Sequence, residues 1–307
     1  MIDTILAIVT ATVIAGTPLV YAALGELVTE KSGVLNLGVE GMMLVGAISG
    51  FITATVTGSV WLGILVAAIA GMAMALIFAV FAISLRTTQV ATGLARSIVG
   101  AGLSSQLGRG YFGVAFVRPD SAVYDFFHGI PLIGPALTAF HPLVYLSWAI
   151  FAAIVWFFSR SRLGLVIKAI GEAPSSAHAI GFSVIGLRYA ATLFGGAMAG
   201  IGGGYLALIY TSLWVENITA GRGWIAIALV VFATWKPERA LLGAYLFGGV
   251  TTAQLFAQGA GMPVPSEFMS ALPYIATVVV LVLISRDSSL IRLNAPASLG
   301  RPFQLEG

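Results

Sequence analysis

The 307-residue sequence contains no cysteine and few charged residues. The lack of cysteine excludes disulfides, thiolate metal sites and a cysteine nucleophile. Asp, Glu, Lys and Arg make up 9% of the chain, against about 25% in soluble domains, and 59% of the residues are hydrophobic. The mean hydropathy is +1.00, and many apolar runs approach the ~20 residues that span a bilayer as helix. The sequence predicts an all-α, polytopic membrane bundle, with residues 1–307 forming one transmembrane domain.

Residues that carry out chemistry are also scarce. The three histidines (His128, His141 and His178) are scattered, and there is no HExxH motif. The nearest approach to a phosphate-binding loop is GELVTEKS at residues 25–32, where Glu30 replaces the glycine that such a loop requires. We therefore predict no catalytic residue, no metal site and no cofactor bound by this chain, which is not expected to be an enzyme.

Nine apolar runs predict about eight to ten transmembrane helices. They cover residues 4–27, 33–57, 61–84, 89–108, 142–158, 188–211, 223–235, 240–258 and 271–285. The 223–235 run is short for a straight span. It is either a re-entrant segment or a tilted span that extends beyond these residues.

The basic residues lie one or two at a time between these runs, which is typical of topology signals rather than of nucleic-acid binding. Alternate junctions hold eleven of the fifteen Lys and Arg residues: Lys31, Arg86, Arg160, Arg162, Lys168, Arg188, Lys236, Arg239, Arg286, Arg292 and Arg301. This bias places the 159–188 loop and the C-terminus in the cytoplasm, and the 109–141 loop outside. Lipid is an expected contact; nucleic acid is not.

Glycines at four-residue spacing indicate close helix contacts. Gly196, Gly200 and Gly204 follow this spacing, as do Gly46 and Gly50. Small residues at such intervals let helix backbones approach in lipid. Either contacts within one subunit or a seam between subunits would explain them.

Ionisable groups inside predicted spans are candidates for a translocation path or gate, because they are costly in a membrane. For Glu40, two interpretations remain open: a carboxylate stabilised by its own helix N-terminus, or a member of the path. For Arg96, an ion pair with Glu40 or Glu26 is the alternative to a solute contact. The candidate path residues are Asn36, Glu40, Gln89, Arg96 and Gln106.

Without a nucleotide loop or an evident coupling-ion site, transport would need a motor on another chain. The 159–188 loop is the longest basic interruption and is where such a motor would act. An ion-coupled secondary carrier, or a channel-like or structural membrane protein, remains the alternative class.

Three stretches resemble a known family. Residues 29–43 (TEKSGVLNLGVEGMM) resemble the signature of permease subunits of bacterial ABC importers of the branched-chain amino acid and ribose type, closest to the nucleoside and simple-sugar branch. Residues 171–181 (GEAPSSAHAIG) resemble the cytoplasmic loop by which these permeases dock their ATPase. Residues 295–302 (APASLGRP) resemble C-termini of that branch.

The resemblance implies a multi-pass permease of the bacterial cytoplasmic (inner) membrane without ATPase activity. Its partners would be an ABC ATPase subunit that uses the ATP, a second paralogous permease that completes the path, and an extracytoplasmic substrate-binding protein. The implied ATPase-coupling residues are Gly171, Glu172, Ala173, Pro174, Ala177, Ala179 and Gly181. A short helix is expected from Pro174, with Glu172 or Ser175/Ser176 as its cap and its small residues exposed for the ATPase.

The residues expected to line the translocation path indicate the kind of solute. Apolar walls with a few polar groups suit a small neutral solute, and a nucleoside is the leading prediction, with simple sugars such as ribose as the alternative. Phe51, Phe194 and Trp224 are candidates for stacking on a base, although packing is the more common role of such residues.

Overall fold

The computed structural model describes residues 2–116, 140–259, 265–285 and 294–304. Eleven α-helices cover most of these residues, which confirms the all-α fold: α1 Ile2–Lys31, α2 Val39–Thr57, α3 Val60–Ala79, α4 Gln89–Gly108, α5 Pro142–Arg160, α6 Arg162–Glu172, α7 Pro174–Ala179, α8 Val184–Tyr205, α9 Arg222–Phe232, α10 Pro237–Gly259 and α11 Ser266–Ser285. Single π-helical turns, Val80–Ser84 and Leu206–Tyr210, extend α3 and α8.

Each of the nine predicted spans contains a helix. Within the described residues, six of them (α1, α2, α3, α5, α8 and α10) are long and apolar enough to cross a membrane. By contrast, α9 has 11 residues, or about 16 Å of helix against a hydrocarbon core of ~30 Å. The short 223–235 run is therefore a half-length helix.

Two predicted helix starts differ from the structure in ways that affect the site. The second span was predicted from residue 33, but α2 begins at Val39 because residues 32–38 form an irregular connection. Gly33 has a φ of +87° and Asn36 accepts a hydrogen bond from the Gly38 N–H at 3.1 Å, and both features compete with helix. The sixth span begins at Val184, so Arg188 lies inside α8 rather than in the preceding loop.

Helices α2, α3 and α8 form a core that is held by glycines. A Cβ on Gly46 would lie 2.5 Å from the Gly200 Cα, and one on Gly196 would lie 2.6 Å from the Gly71 carbonyl oxygen. A Cβ on Gly50 would lie 2.9 Å from the Gly63 oxygen. The glycine spacing therefore serves contacts within this chain.

Aromatic residues pack together beside the C-terminal half of α2. Phe51 is fully buried, with ring centroids 6.3–6.5 Å from Tyr111, Phe116 and Trp214. The backbone beside it pairs in an isolated antiparallel bridge, Ala115 with Leu213. Phe51 is thus a packing residue rather than a surface for stacking a solute. Most of the predicted 109–141 loop lies outside the described residues.

The predicted 159–188 loop contains two short helices, α6 and α7. The expected helix from Pro174 is confirmed. Its predicted cap is wrong, because Ala173 occupies the N-cap position without a side-chain hydrogen bond, and Glu172 is instead the last residue of α6. Proline at the first helical position needs no N–H partner, which explains the start of α7 without a polar cap.

Candidate functional site

The α1–α2 connection, residues 32–38, gathers most of the buried polar groups of the bundle. Three carboxylates border it: Glu26 and Glu30 on α1 and Glu40 on α2 are 0–5% exposed. Such groups are expensive to bury and mark functional positions in membrane proteins. The connection therefore gathers ionisable groups inside the apolar body of the bundle.

Asn36 links a carboxylate to a guanidinium at the centre of the connection. Its backbone N–H donates to Glu26 Oε1 at 3.1 Å, and its Oδ1 accepts from Arg96 Nη2 at 2.7 Å. Arg96 also donates from Nη1 to the Met74 carbonyl oxygen at 2.9 Å and lies 4.8 Å from the Phe78 ring centroid. Asn36 therefore stands between Glu26 and Arg96, and Arg96 is positioned by α3 as well.

Helix α4 holds the connection at two further points. The Leu35 N–H donates to Gln89 Oε1 at 2.7 Å, and Ser97 Oγ donates to the Leu37 carbonyl oxygen at 3.1 Å. These bonds satisfy backbone groups that the break in the helix leaves unpaired. A Cβ on Gly93 would lie 2.9 Å from the Leu37 nitrogen, so α4 approaches the connection closely.

Glu40 caps the N-terminus of α9 from across the bundle. Its Oε1 accepts from Thr219 Oγ1 at 2.5 Å and from the Gly221 N–H at 2.8 Å, and its Oε2 accepts from the Gly223 N–H at 2.6 Å. A carboxylate at this place satisfies free N–H groups and the positive end of the helix dipole. The sequence suggested that Glu40 is stabilised by the dipole of its own helix. In the structure it also caps a second helix, α9, whose bonded residues lie 179 or more positions away in sequence.

The capped turn requires its two glycines. Gly221 has a φ of +79°, and a Cβ on Gly223 would lie 2.5 Å from the Glu40 Cα. Only glycine fits both conditions without strain.

The other end of α9 is held by Glu30. Its Oε2 accepts from Trp235 Nε1 at 2.5 Å. Trp235 and the preceding Thr234 have positive φ values of 54° and 48°, which non-glycine residues rarely adopt. The half-helix is therefore tied at both ends to residues that flank the α1–α2 connection.

Four of the five candidate path residues lie around this connection. Asn36, Glu40, Gln89 and Arg96 are 0–5% exposed there. Gln106 is exposed near the opposite end of α4 and does not join them. Of the two ion-pair partners considered for Arg96, neither makes a direct contact within the described part of the chain; Glu26 is reached through Asn36, and Glu40 bonds residues 219–223 instead.

Sequence reasoning missed the partners of the buried acids. Thr219, Gly221 and Gly223 were not candidates, and neither was Trp235. A signal for them did exist: the GRG triplet at residues 221–223 opens the shortest of the nine apolar runs. Glycines flanking a short run are compatible with a capped half-helix.

The implied coupling residues lie at the end of the bundle that carries Lys31 and the C-terminal residues. Ala173, Ala179 and Gly181 are exposed, as expected for a docking surface. Ala177 departs from that expectation because it is 2% exposed and packs against Ile170 and Val184. The exposed surface instead continues through Ile180, which is 73% exposed, and Phe182.

Half-helices tied to polar breaks between spans are a feature of membrane transporters. The chain belongs to the family described as "Branched-chain amino acid transport system / permease component", which matches residues 8–284. This membership confirms the resemblance seen in the sequence and the assignment as an ABC transporter permease.

Named relatives span nearly the whole chain. "Putative glucose ABC transporter permease protein TsgC13" of Haloferax volcanii is 40% identical over 96% of this chain and 97% of its own. "Guanosine ABC transporter permease protein NupQ" of Bacillus subtilis is 31% identical, with 96% of each chain covered. "Nucleoside ABC transporter permease protein NupC" of Lactococcus lactis is 28% identical, covering 92% and 93%.

Proposed function

We propose that this permease carries a nucleoside across the bacterial cytoplasmic membrane, driven by a separate ABC ATPase subunit that docks on α7. A second permease would complete the path, and an extracytoplasmic binding protein would deliver the solute. The observation that carries the proposal is the polar α1–α2 connection inside a permease of this family. It supplies buried hydrogen-bonding groups beside α4 and α9, among them the neutral side chains of Asn36 and Gln89, which suit an uncharged solute.

The ATPase contact is supported by exposure at the basic end of the bundle. Ile180, Phe182 and Ile185 are 73%, 37% and 39% exposed there, beside the exposed Ala179 and Gly181. These residues extend beyond the start of α8, where the positive-inside argument places cytoplasm. A contiguous apolar surface on this side suits a soluble partner better than water.

The proposed path runs along the face where α4 and α9 flank the start of α2. Gly41 of α2 meets Gly100 of α4 so closely that a Cβ on Gly100 would lie 2.5 Å from the Gly41 Cα. On the other side, Glu40 meets the α9 N-terminus. Trp224, on the first turn of α9, is 38% exposed and is the aromatic residue best placed to stack on a base.

Simple sugars are the second candidate. The specific observation in their favour is the relative at 40% identity, whose name specifies glucose. Relatives at 31% and 28% identity are named for guanosine and for nucleosides. An aromatic residue beside a few neutral hydrogen-bonding groups accommodates either solute, because both present hydroxyls and an apolar face.

The test is uptake by the complete transporter, with the two permeases, the ATPase and the binding protein reconstituted in vesicles. We expect ATP-dependent accumulation of labelled guanosine or another nucleoside, inhibited by excess unlabelled nucleoside and not by glucose or ribose. Inhibition by sugars alone would transfer the assignment to the second candidate. Accumulation by this chain alone under an ion gradient would refute the ATPase-driven mechanism.

A further inference from the structure

Arg188 is a buried cation that joins three segments of the chain. Its side chain is 2% exposed. The guanidinium donates from Nε to the Ser32 carbonyl oxygen at 3.1 Å, from Nη1 to the Arg301 carbonyl oxygen at 3.2 Å, and from Nη2 to Ser298 Oγ at 3.1 Å. Each of these acceptors is neutral. The planar fork of arginine, with five donors, is suited to hold three acceptors at once.

Two of these acceptors belong to the C-terminal strap, which we define as residues 294–304. Ser298 binds the end of α6, since its N–H and Oγ both donate to the Gly171 carbonyl oxygen, at 2.9 and 2.7 Å. Gly300 binds the α1–α2 connection, because its N–H donates to the Gly33 carbonyl oxygen at 3.2 Å. The strap therefore lies between the coupling segment and the connection.

The junction is closely packed at two glycines, Gly33 and Gly171, and a cavity of about 370 Å³ lies beside it between the strap and the start of α7. Gly33 has a φ of +87°, and a Cβ on it would lie 2.8 Å from Arg188 Nη2. A Cβ on Gly171 would overlap the Lys31 carbonyl oxygen and lie 3.2 Å from Pro296 Cβ. Close-packed contacts transmit displacement rather than absorb it.

The strap also reaches the docking helix α7. Phe303 is 9% exposed and clusters with Ala177, Ile170 and Val184, and its ring centroid lies 5.7 Å from that of His178. One short segment thus contacts α7 at Phe303 and the connection at Gly300. The burial of Ala177, which did not fit a free docking surface, is explained by this contact.

We propose that Arg188 is a positioning residue that transmits movement of α7, through the C-terminal strap, to the α1–α2 connection. The inference rests on the proposed function, because it requires an ATPase that moves α7. Ser32, the residue held by Arg188 Nε, precedes Asn36 by four positions. A displacement of the strap would therefore reach the Glu26–Asn36–Arg96 group through a few residues of irregular backbone.

The test compares solute transported per ATP hydrolysed in the complete transporter in vesicles. Arg188→Met keeps the length of the side chain but removes every donor. We expect this variant to assemble and hydrolyse ATP at the basal rate while its transport per ATP falls on the order of tenfold, within the usual range of coupling between sites. Arg188→Lys should give an intermediate loss, because one ammonium cannot reach three separated acceptors.

Arg301→Ala is the matched control. Its carbonyl oxygen binds Arg188, while its own side chain is exposed and lies beside the same junction. Transport per ATP should remain at the wild-type value in this variant. Arg301→Ala removes a nearby positive charge but keeps the Arg188 hydrogen bonds. Comparison with Arg188→Met therefore separates the effect of the charge from the effect of the hydrogen bonds.

Unchanged transport per ATP in Arg188→Met would overturn the inference. So would equal falls in ATP hydrolysis and in transport per assembled complex, because that pattern describes a structural role alone. If Arg188→Met does not assemble, Ser298→Ala decides in its place, since it removes one acceptor of Arg188 and the Oγ bond of the strap to Gly171, and no charge. Failure of the wild-type transporter to couple ATP hydrolysis to uptake would refute the proposed function instead.

Discussion

The α2–α3–α8 core and the α1–α2 connection lie side by side but are held together in different ways. In the core, backbone meets backbone at glycines such as Gly46 and Gly200. In the connection, buried side chains hold irregular backbone through directional hydrogen bonds, as Gln89 does for Leu35. Van der Waals contacts between backbones permit one arrangement, whereas a hydrogen-bonding group can exchange one partner for another.

The connection also has unused bonding capacity. Within the described residues, buried atoms without a hydrogen-bond partner include Glu26 Oε2, Glu30 Oε1, Gln89 Nε2 and Arg96 Nε, all of them around the connection. Unsatisfied groups raise the free energy of the state in which they occur. The core is therefore closely packed at its glycines, whereas the connection keeps polar groups that a different arrangement could pair.

The largest effect is expected when the core is overfilled. Gly200→Leu places a side chain where even a Cβ would overlap the Ala67 carbonyl oxygen, and overpacking costs typically about 1–3 kcal/mol and occasionally more. The solubilised variant should melt at a clearly lower temperature, or fail to accumulate in the membrane. Gly102→Leu is the control, because a Cβ there meets nothing within 4 Å; equal melting of the two variants would contradict the account of the core.

Loss of the Glu40 charge should have the next largest effect. Glu40→Gln turns an amide group towards the Gly221 and Gly223 N–H donors, and each charged hydrogen bond is worth about 1.5–3 kcal/mol. We expect reduced thermal stability together with a loss of ATP-dependent uptake. Glu216→Gln, at an exposed position before α9 where the carboxylate accepts only from Ser105 Oγ among the described residues, serves as the control. Wild-type uptake and melting in Glu40→Gln would show that the α9 cap is dispensable.

A smaller effect is expected from Arg96→Lys. The charge is kept, but one ammonium cannot reproduce the forked contact with Asn36 Oδ1 and the Met74 carbonyl oxygen, so about one hydrogen bond, ~1 kcal/mol, is lost. We expect a clear fall in uptake with little change in melting temperature, because the lost contact matters most when the connection moves during transport. Arg109→Lys, at an exposed position after α4, should change neither quantity.

The smallest difference separates two glutamines on one helix. Gln89→Ala leaves the Leu35 N–H without its acceptor, at about 1 kcal/mol. Gln106→Ala changes an exposed side chain and should stay within about ±0.5 kcal/mol. Thermal melting of the two variants in parallel tests this. A larger loss of stability in Gln106→Ala would show that the hydrogen bond between Gln89 and the connection is unimportant for stability.

Hydropathy predicted where the helices lie, because an apolar run in lipid has to satisfy its own backbone. It did not predict residues 32–38, where Asn36 finds partners on α1 and α4 that replace helical bonds. Nor did it predict that Glu40 meets Gly221 and Gly223. Those contacts depend on which helices become neighbours, and nothing in the local sequence around Glu40 specifies that.

Charge counting misplaced Arg188, and the orientation that it gives stays a prediction. The positive-inside pattern treats every basic residue near a helix end as a solvated one. Burial of Arg188 depends on the Ser32, Ser298 and Arg301 oxygens, which lie 110 to 156 residues away in sequence. Such a distribution of acceptors has no local signature.

The half-length of α9 has a consequence for what surrounds the molecule. Residues 211–221 lead into α9 without regular helix, and Glu216, Asn217 and Ala220 are exposed in this segment. Hydrocarbon cannot solvate irregular backbone and polar side chains of this kind. Wherever the segment reaches the depth of the lipid tails, it therefore needs water or another protein chain beside it.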